Sequence, residues 1–157
     1  MGKNPTDRGK QGVKKSLLVE ADGGPLAIAI TAANVHDSQV LAATLAAIVV
    51  ERPKPSQEAP QHLCLDKAYD NPTSQTAALE AGYTPHIRRI GEEKCDPDGK
   101  KVYPARRWVV ERTLSWLSRW RGLLIRWDKK ADNYLAMLKL ACGLLWYRRW
   151  RKLTADF

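Results

Sequence analysis

Two acidic residues, Asp66 and Glu111, stand where a fold can hold a carboxylate rigidly. Asp66 follows the short apolar run 62–65, which has the character of a strand, and Glu111 lies in a stretch with helical spacing. A strand end fixes the position of one acid, and a helix fixes the direction of the other. Carboxylates from separate elements hold hard cations such as Mg²⁺ in two-metal phosphoryl-transfer sites, where Mn²⁺ is an alternative. The pair is therefore a candidate for metal-dependent phosphoryl transfer.

Each acid also has an ordinary structural role open to it. Arg107 and Glu111 are four residues apart, a spacing at which an exposed helical ion pair contributes about 0.3 to 0.5 kcal/mol. Asp66 can cap or turn the chain after its strand, since turn-forming residues follow at 70–72. Spacing alone favours these roles over catalysis.

The stretch around Glu111 predicts a helix from about residue 105 to residue 124. Helical spacing divides its side chains between a polar face and a neighbouring apolar face. The polar face has Arg107, Glu111, Ser115 and Ser118, and the apolar face has Val110, Leu114 and Leu117. We expect the apolar face to pack and the polar face to be available to DNA.

The positive charge of the chain is confined to its carboxy-terminal third. Residues 1–100 carry 12 Lys/Arg and 13 Asp/Glu, whereas residues 101–157 carry 14 and 4, and all six tryptophans fall after residue 100. Basic side chains interleaved with aromatic ones suit a phosphate backbone with stackable bases. The alternative is an amphipathic helical segment with its tryptophans in the core and its arginines in solvent.

The remaining pattern predicts an α/β layer fold with helices covering a mixed sheet. Strands at 14–21 and 25–31 form a hairpin around the turn 22–24, after a loop of about a dozen residues. A helix capped by Asp37 or Ser38 runs to about Glu51, and a proline-rich linker covers 52–61.

After the proline-rich linker, the sequence predicts a strand that ends at Asp66. A helix at 72–82 closed by its glycine, a short strand at 83–87 and a loop at 88–101 follow. The last helix starts at Asp132 or Asn133 as its cap and runs to about Arg151.

Several protein classes are excluded by composition. The three cysteines, Cys64, Cys95 and Cys142, have neither disulfide-framework nor zinc spacing. The amino-terminal residues lack the apolar centre of a signal peptide, and no apolar run reaches the roughly 18 residues of a membrane span. We therefore expect a cytoplasmic protein, and one domain over 1–157 with a basic, Trp-rich helical segment at 105–152.

Four ordered blocks carry a family resemblance over nearly the whole chain. They are NPTDRGKQGVKKSLLVE, PLAIAITAANVHDS, LCLDKAYDN and RRWVVERTLSWLSRWRGL. In this order they resemble the bacterial insertion-sequence DDE transposases of the insertion sequence 5 group, within the insertion sequence 4 type. The resemblance implies an RNase H-like core, an Asp, Asp, Glu triad binding two Mg²⁺, and cutting and rejoining of DNA at terminal inverted repeats. It places the second acid at Asp66 and the third at Glu111, as catalytic and metal-binding residues.

The family's helix signature of Tyr, Arg, Glu and Lys is matched only in part. Arg107 and Glu111 have the expected interval, but Tyr103 lies one residue too far upstream. Ser118 stands at the lysine position, with Arg119 beside it as a substitute. Basic residues near these motifs are the expected DNA contacts: Arg107, Arg112, Lys67, Arg119 and Arg121.

The first acid of the triad has no match in this sequence. Asp7 lies in a loop that the family carries after its first acid, Asp22 is in the hairpin turn, and Asp37 is favoured as a helix cap. The hypothesis is that the chain lacks the first catalytic Asp and the central strand that carries it. We therefore expect a transposase fragment that is inactive alone, complemented by an upstream segment or by full-length transposase. The alternative is a non-catalytic DNA-binding or regulatory protein derived from a transposase.

Overall fold

The computed structural model describes residues 1–5, 8–87 and 107–155, with the backbone alone described at Arg107. The sequence predictions for Asp7, Cys95, Tyr103 and the loop at 88–101 concern residues outside these ranges. The expected pairing of Arg107 with Glu111 is likewise outside the described side chains.

The amino-terminal sheet has three antiparallel strands in the order β1 (Gly2–Lys3), β2 (Gln11–Val19) and β3 (Pro25–Ala32). The predicted hairpin is confirmed, and its turn uses Gly23 at φ +92°, a conformation that glycine adopts without steric cost. The prediction that the first dozen residues form only a loop is wrong. Gly2 pairs with Gly12, and Lys3 pairs with Gln11, so a short strand precedes the loop.

Helix α1 (Asp37–Ala46) follows the hairpin and begins one residue earlier than predicted. Its cap is His36, whose Nδ1 accepts a hydrogen bond from the Ser38 amide at 3.3 Å. Asp37 therefore lies in the first turn, where a negative charge is favourable, and the prediction of Asp37 or Ser38 as the cap is wrong. The Asp37 carboxylate instead lies 3.1 Å from the ammonium of Lys14.

The second sheet is a parallel pair formed by β4 (His62–Leu65) and β5 (Thr84–Ile87). Between them lie a 3₁₀ turn (Lys67–Tyr69) and helix α2 (Pro72–Glu80). Gly82, at φ +78°, closes this helix as predicted. Its amide donates to the carbonyl of Leu79 and the Tyr83 amide donates to that of Ala78, which is the Schellman arrangement.

Three helices complete the described chain: α3 (Arg107–Ser118), α4 (Arg121–Leu124) and α5 (Ala131–Ala155). The single helix predicted to reach Leu124 ends at Ser118, and the chain turns before a separate short helix. Helix α5 begins at Ala131, so Asp132 lies in its first turn instead of capping it.

Two apolar clusters hold these elements together. The first joins β3 to the three carboxy-terminal helices and contains Ile28, Leu117, Leu123, Tyr134, Leu138 and Ala141. The second joins α1, β4 and α2 and contains Leu41, Leu45, Leu63, Ala78 and Tyr83. Strand β2 contributes to both, because Leu17 packs on the first cluster and Leu18 on the second. The result is the predicted mixed α/β arrangement, consistent with an RNase H-like domain, with its strands divided between two small sheets.

Within the described residues, none of the helices is both long and apolar enough to cross a membrane. Cys64 and Cys142 are free thiols. Partial burial raises the pKa of the Cys142 thiol to about 11, so this half-buried cysteine remains protonated at neutral pH.

A candidate active-site cleft between two sheet edges

A cavity of about 920 Å³ lies between β2 and β4. Every residue from Lys15 to Ala21 lines it on one side, and every residue from His62 to Asp66 lines it on the other. Consecutive side chains of a strand point to opposite faces, so an unbroken run of lining residues means that the cavity follows the strand edges. We call this cavity the edge cleft. Helix α1 covers one of its faces through Leu41 and Leu45, and α3 covers the other through Val110 and Leu114.

Asp66 lies at the end of β4 and lines the edge cleft, as the sequence predicts. Its Oδ1 accepts a hydrogen bond from the amide of Ala68 at 2.7 Å, so it caps the 3₁₀ turn that follows. This is the structural role foreseen for an acid after a strand. The cap uses one carboxylate oxygen and holds the side chain half-buried at the wall of the cleft.

Tyr69 connects Asp66 to the start of α1. Burial, followed by the negative charges of Asp37 and Asp66, raises the pKa of the Tyr69 phenol to about 12. All three residues line the edge cleft. Asp66 and Asp37 therefore lie at one end of the cleft, the end at which Lys14 of β2 pairs with Asp37.

Glu111 also lines the edge cleft, and its side chain is exposed. The helical turn that carries it is anchored to the hairpin turn by its two following residues. Arg112 donates to the carbonyl of Asp22 at 2.6 Å, and the buried Thr113 hydroxyl donates to that of Gly23 at 2.8 Å. A side chain at Gly23 would approach Arg112 and Thr113 within 3.0 Å, so this contact also depends on glycine.

The elements that carry the two acids thus contact opposite ends of β2. Asp66 and Asp37 both lie close to Tyr69, and Asp37 pairs with Lys14, whereas the turn of Glu111 bonds to Asp22 and Gly23; the strand between Lys14 and Glu20 is about 20 Å long at 3.3 Å per residue. Carboxylate oxygens are suitable donors for a hard divalent cation. In the described ranges, however, no three His, Cys, Asp or Glu side chains lie together as metal ligands. The donors fit a metal in type, but the described residues do not assemble a site of three such ligands.

The predicted DNA contacts divide into exposed and internally engaged residues. Lys67, Arg119 and Arg121 are exposed. Arg112 is half-buried, and its guanidinium lies 4.6 Å from the Trp108 ring centroid and 5.0 Å from that of Trp116. The Arg112 guanidinium is therefore engaged within the fold, by its hydrogen bond to Asp22 and by its contacts with two tryptophan rings.

Four of the six tryptophans are exposed: Trp108, Trp127, Trp146 and Trp150. The alternative in which all the tryptophans belong to the core is therefore wrong. Trp146 is anchored at its edge, where the indole N–H donates to the carbonyl of Pro25 at 2.7 Å. Trp127, 78% exposed, is the most accessible of the six and has the ring surface that a stacked base requires.

Sequence reasoning missed the anchoring role of Thr113 and the position of Tyr69. The buried stripe of α3 is formed by Val109, Thr113 and Leu117, whereas Val110 and Leu114 are only half-buried. These three residues are spaced four apart in the sequence. The stripe was not recognised because its central residue, Thr113, is polar and is therefore not counted in an apolar pattern.

Comparisons with known proteins agree with the four-block resemblance. A family model described as "Transposase DDE domain" matches residues 2–146. A protein of Burkholderia cepacia described as "Putative transposase for insertion sequence element IS402" is 37% identical over 154 residues, which cover 96% of this chain and 70% of that protein. No solved structure matches. The family match spans every residue that lines the edge cleft, and we conclude that the chain belongs to the transposase DDE domain family, whose function is DNA transposition.

Proposed function

We propose that the edge cleft is the catalytic region of the transposase domain, in which Asp66 and Glu111 supply two of the carboxylates for metal-dependent DNA strand cleavage and transfer. The observation that carries this proposal is that both acids line one cavity although 45 residues separate them in the sequence. A divalent cation, Mg²⁺ or Mn²⁺, would stabilise charge on the attacking and leaving oxygens of the phosphodiester.

The separation of the two acids supports the further proposal that this chain is inactive alone. A two-metal site requires carboxylates that converge on cations about 3.5 to 4 Å apart. Asp66 and Glu111 lie towards different ends of the cleft, and a further oxygen ligand is needed. An additional segment that rearranges the cleft and brings another acid meets both requirements.

Strand cleavage and joining measured on labelled DNA carrying the element's terminal inverted repeats tests this function. We expect no product from the 157-residue chain with Mg²⁺ or Mn²⁺, and product when the upstream segment of a full-length relative is fused to it. Asp66→Asn and Glu111→Gln should each abolish the activity of the fusion. Glu80→Gln, an exposed acid at the end of α2, is the matched control and should retain it. Activity that survives both site substitutions would exclude these residues as catalytic.

A second candidate function is regulatory DNA binding without catalysis. It is supported by the basic segment, where exposed tryptophans lie among arginines on α3 and α5. Such a protein would join full-length transposase or occupy its DNA sites. If the 157-residue chain inhibits a full-length relative in the cleavage assay and its fusion remains inactive, the regulatory function is favoured.

A further inference from the structure

Two of the three histidines of the chain face each other across the second sheet. His62 begins β4 and His86 lies in β5, and the Nδ1 atom of His62 lies 2.6 Å from the Nε2 atom of His86. The ring centroids are 4.7 Å apart, and the rings are tilted by 47°. Two ring nitrogens from neighbouring strands therefore point at one position.

Strand geometry holds this pair in place. The parallel register sets Cys64 opposite His86 and His62 opposite Thr84, and residues two apart on a strand share a face. His62, Cys64 and His86 therefore lie on one face of the sheet, whereas Leu63, buried in the second cluster, lies on the other. Both rings belong to regular strand backbone, so their approach does not depend on a loop.

A hydrogen bond between the rings is one use of this geometry. It requires an N–H on one of the facing nitrogens and a lone pair on the other. The contact is exposed, so water competes for both nitrogens and the net contribution of such a bond is small. A ligand that accepts a lone pair from each ring would engage both nitrogens at once.

A divalent transition-metal ion fits the same geometry. Neutral imidazole is a suitable ligand for Zn²⁺, Ni²⁺ and Cu²⁺. Two Zn–N bonds of about 2.0 to 2.1 Å at a tetrahedral angle place their nitrogens about 3.3 Å apart, so the pair needs to open by less than about 1 Å. His62 is exposed, and rotation of its ring supplies that opening.

We propose that His62 and His86 form a binding site for a divalent ion of the Zn²⁺ and Ni²⁺ class, which links β4 to β5. Within the described ranges, no three His, Cys, Asp or Glu side chains form a group that could hold a metal. The two histidines therefore supply two ligands, and water completes the coordination. The affinity is accordingly lower than that of a structural zinc site with four protein ligands.

The histidine site differs in position and chemistry from the carboxylates of the edge cleft. His62 precedes Asp66 by four residues, which is about 13 Å of extended strand. Mg²⁺ takes oxygen ligands, whereas imidazole suits the later first-row ions. The proposal therefore does not rest on catalysis by Asp66 and Glu111, and an ion at the histidine site stabilises the pairing of β4 with β5.

Isothermal titration calorimetry of Ni²⁺ into the 157-residue chain, prepared without a histidine tag, tests the proposal. We expect one ion per chain and at least a tenfold loss of affinity in His62→Ala and in His86→Ala, since loss of even a residue that only supports a metal ligand costs about 10- to 100-fold. An excess of Mg²⁺ should not displace Ni²⁺. Wild-type affinity in both variants would overturn the proposal.

The third histidine provides the matched control. His36→Asn removes an imidazole but keeps a capping side chain at the start of α1, so it should leave the Ni²⁺ affinity unchanged. Loss of binding in this variant with retention in His62→Ala would place the ion elsewhere and overturn the proposal.

Stability provides a second readout. An ion that binds only the folded chain raises the urea midpoint. We expect Ni²⁺ to raise the midpoint of wild type and of Cys64→Ser, which lacks the free thiol on the same face, but not that of His62→Ala. A rise that persists in His62→Ala and is lost in Cys64→Ser would assign the ion to the thiol and overturn the proposal. Neither readout involves DNA, so failure here is distinct from failure of the proposed catalytic function.

Discussion

Arg149 of α5 donates a hydrogen bond at 2.5 Å to the carboxylate of Glu20, a residue 129 positions earlier in the chain. The same carboxylate accepts hydrogen bonds from the amides of Asp22 and Gly24, both at 2.8 Å. The Glu20 carboxylate therefore binds two backbone amides of the hairpin turn and links the turn to α5 through Arg149. Helix α3, which covers one face of the edge cleft, is anchored to the same turn through Thr113.

The Glu20 contacts predict a specific sensitivity to acid. Burial by itself would raise the pKa of Glu20, but the two amide bonds and the charge of Arg149 outweigh it, and the pKa is lowered. A lowered carboxyl pKa stabilises the fold above the ordinary Glu value of 4.5, and this contribution is lost as the pH falls through the folded-state pKa. Urea denaturation of wild type and Glu20→Gln from pH 7 to pH 3 measures it. We expect wild type to be more stable at pH 7 and the difference to shrink at pH 3; a pH-independent difference would contradict this.

Substitution of Thr113 by valine should destabilise the fold although the side-chain shape is preserved. The Thr113 hydroxyl is fully buried and donates to the carbonyl of Gly23. Its loss leaves that buried carbonyl without this donor, at a cost of about 1 to 3 kcal/mol in the free energy of unfolding. Urea denaturation provides the measurement. Ser115→Ala, on the exposed side of the same helix, is the control and should change stability by less than about 0.5 kcal/mol.

Titration of Tyr69 reports the arrangement of acids at one end of the edge cleft. Its pKa of about 12 is due first to burial and then to the charges of Asp37 and Asp66. Asp66→Asn removes one of these charges, so the pKa of Tyr69 should fall while remaining above the ordinary value of 10.0. Ultraviolet difference titration gives the measurement, and Tyr69→Phe identifies the signal. No change in Asp66→Asn would mean that Asp66 and Tyr69 are not close in solution.

The raised tyrosine pKa also predicts an effect of alkaline pH on stability. The folded state keeps Tyr69 protonated, so its contribution is complete below the unfolded value of 10.0 and is lost as the pH rises through about 12. Wild type should therefore lose more stability than Tyr69→Phe between these two values. Equal losses in the two proteins would contradict the burial of this phenol.

Substitutions of the exposed arginines and of Arg112 should have different effects, the former on DNA affinity and the latter on stability. Arg119→Ala or Arg121→Ala should weaken binding to any DNA sequence and reduce the slope of log affinity against log salt by about one. Arg112→Ala should instead lower the free energy of unfolding, because Arg112 bonds to Asp22 and stacks on two tryptophans. Gel-shift titrations at several salt concentrations, with urea denaturation of each variant, distinguish the two effects. Binding that does not respond to salt would contradict the proposed interface.

Local chemistry made much of this fold predictable. The turn at 22–24, the glycine that closes α2 and the strand before Asp66 are each specified by neighbouring residues, and each is confirmed. The cap of α1 was predicted incorrectly because a histidine performs a role that aspartate and serine perform more often. Strand β1 was missed because two residues are too few to show alternation.

The candidate site was less predictable than the elements that surround it. That Asp66 and Glu111 share one cavity depends on contacts between segments about 90 residues apart, such as that of Thr113 with Gly23. Periodicity within a helix cannot report such contacts. The four-block resemblance predicts both acids as site residues, whereas the anchoring of α3 to the hairpin turn is visible only in the structure.

The anchoring of the hairpin turn has a consequence for the order of folding. Its partners, Thr113 and Arg149, follow it by 90 and 129 residues, so the turn is synthesised well before the residues that anchor it. At about 5 to 20 residues per second, the ribosome needs several seconds to supply Arg149 after the hairpin. During that interval β2 and β3 lack the carboxy-terminal helices that pack on them in the folded chain.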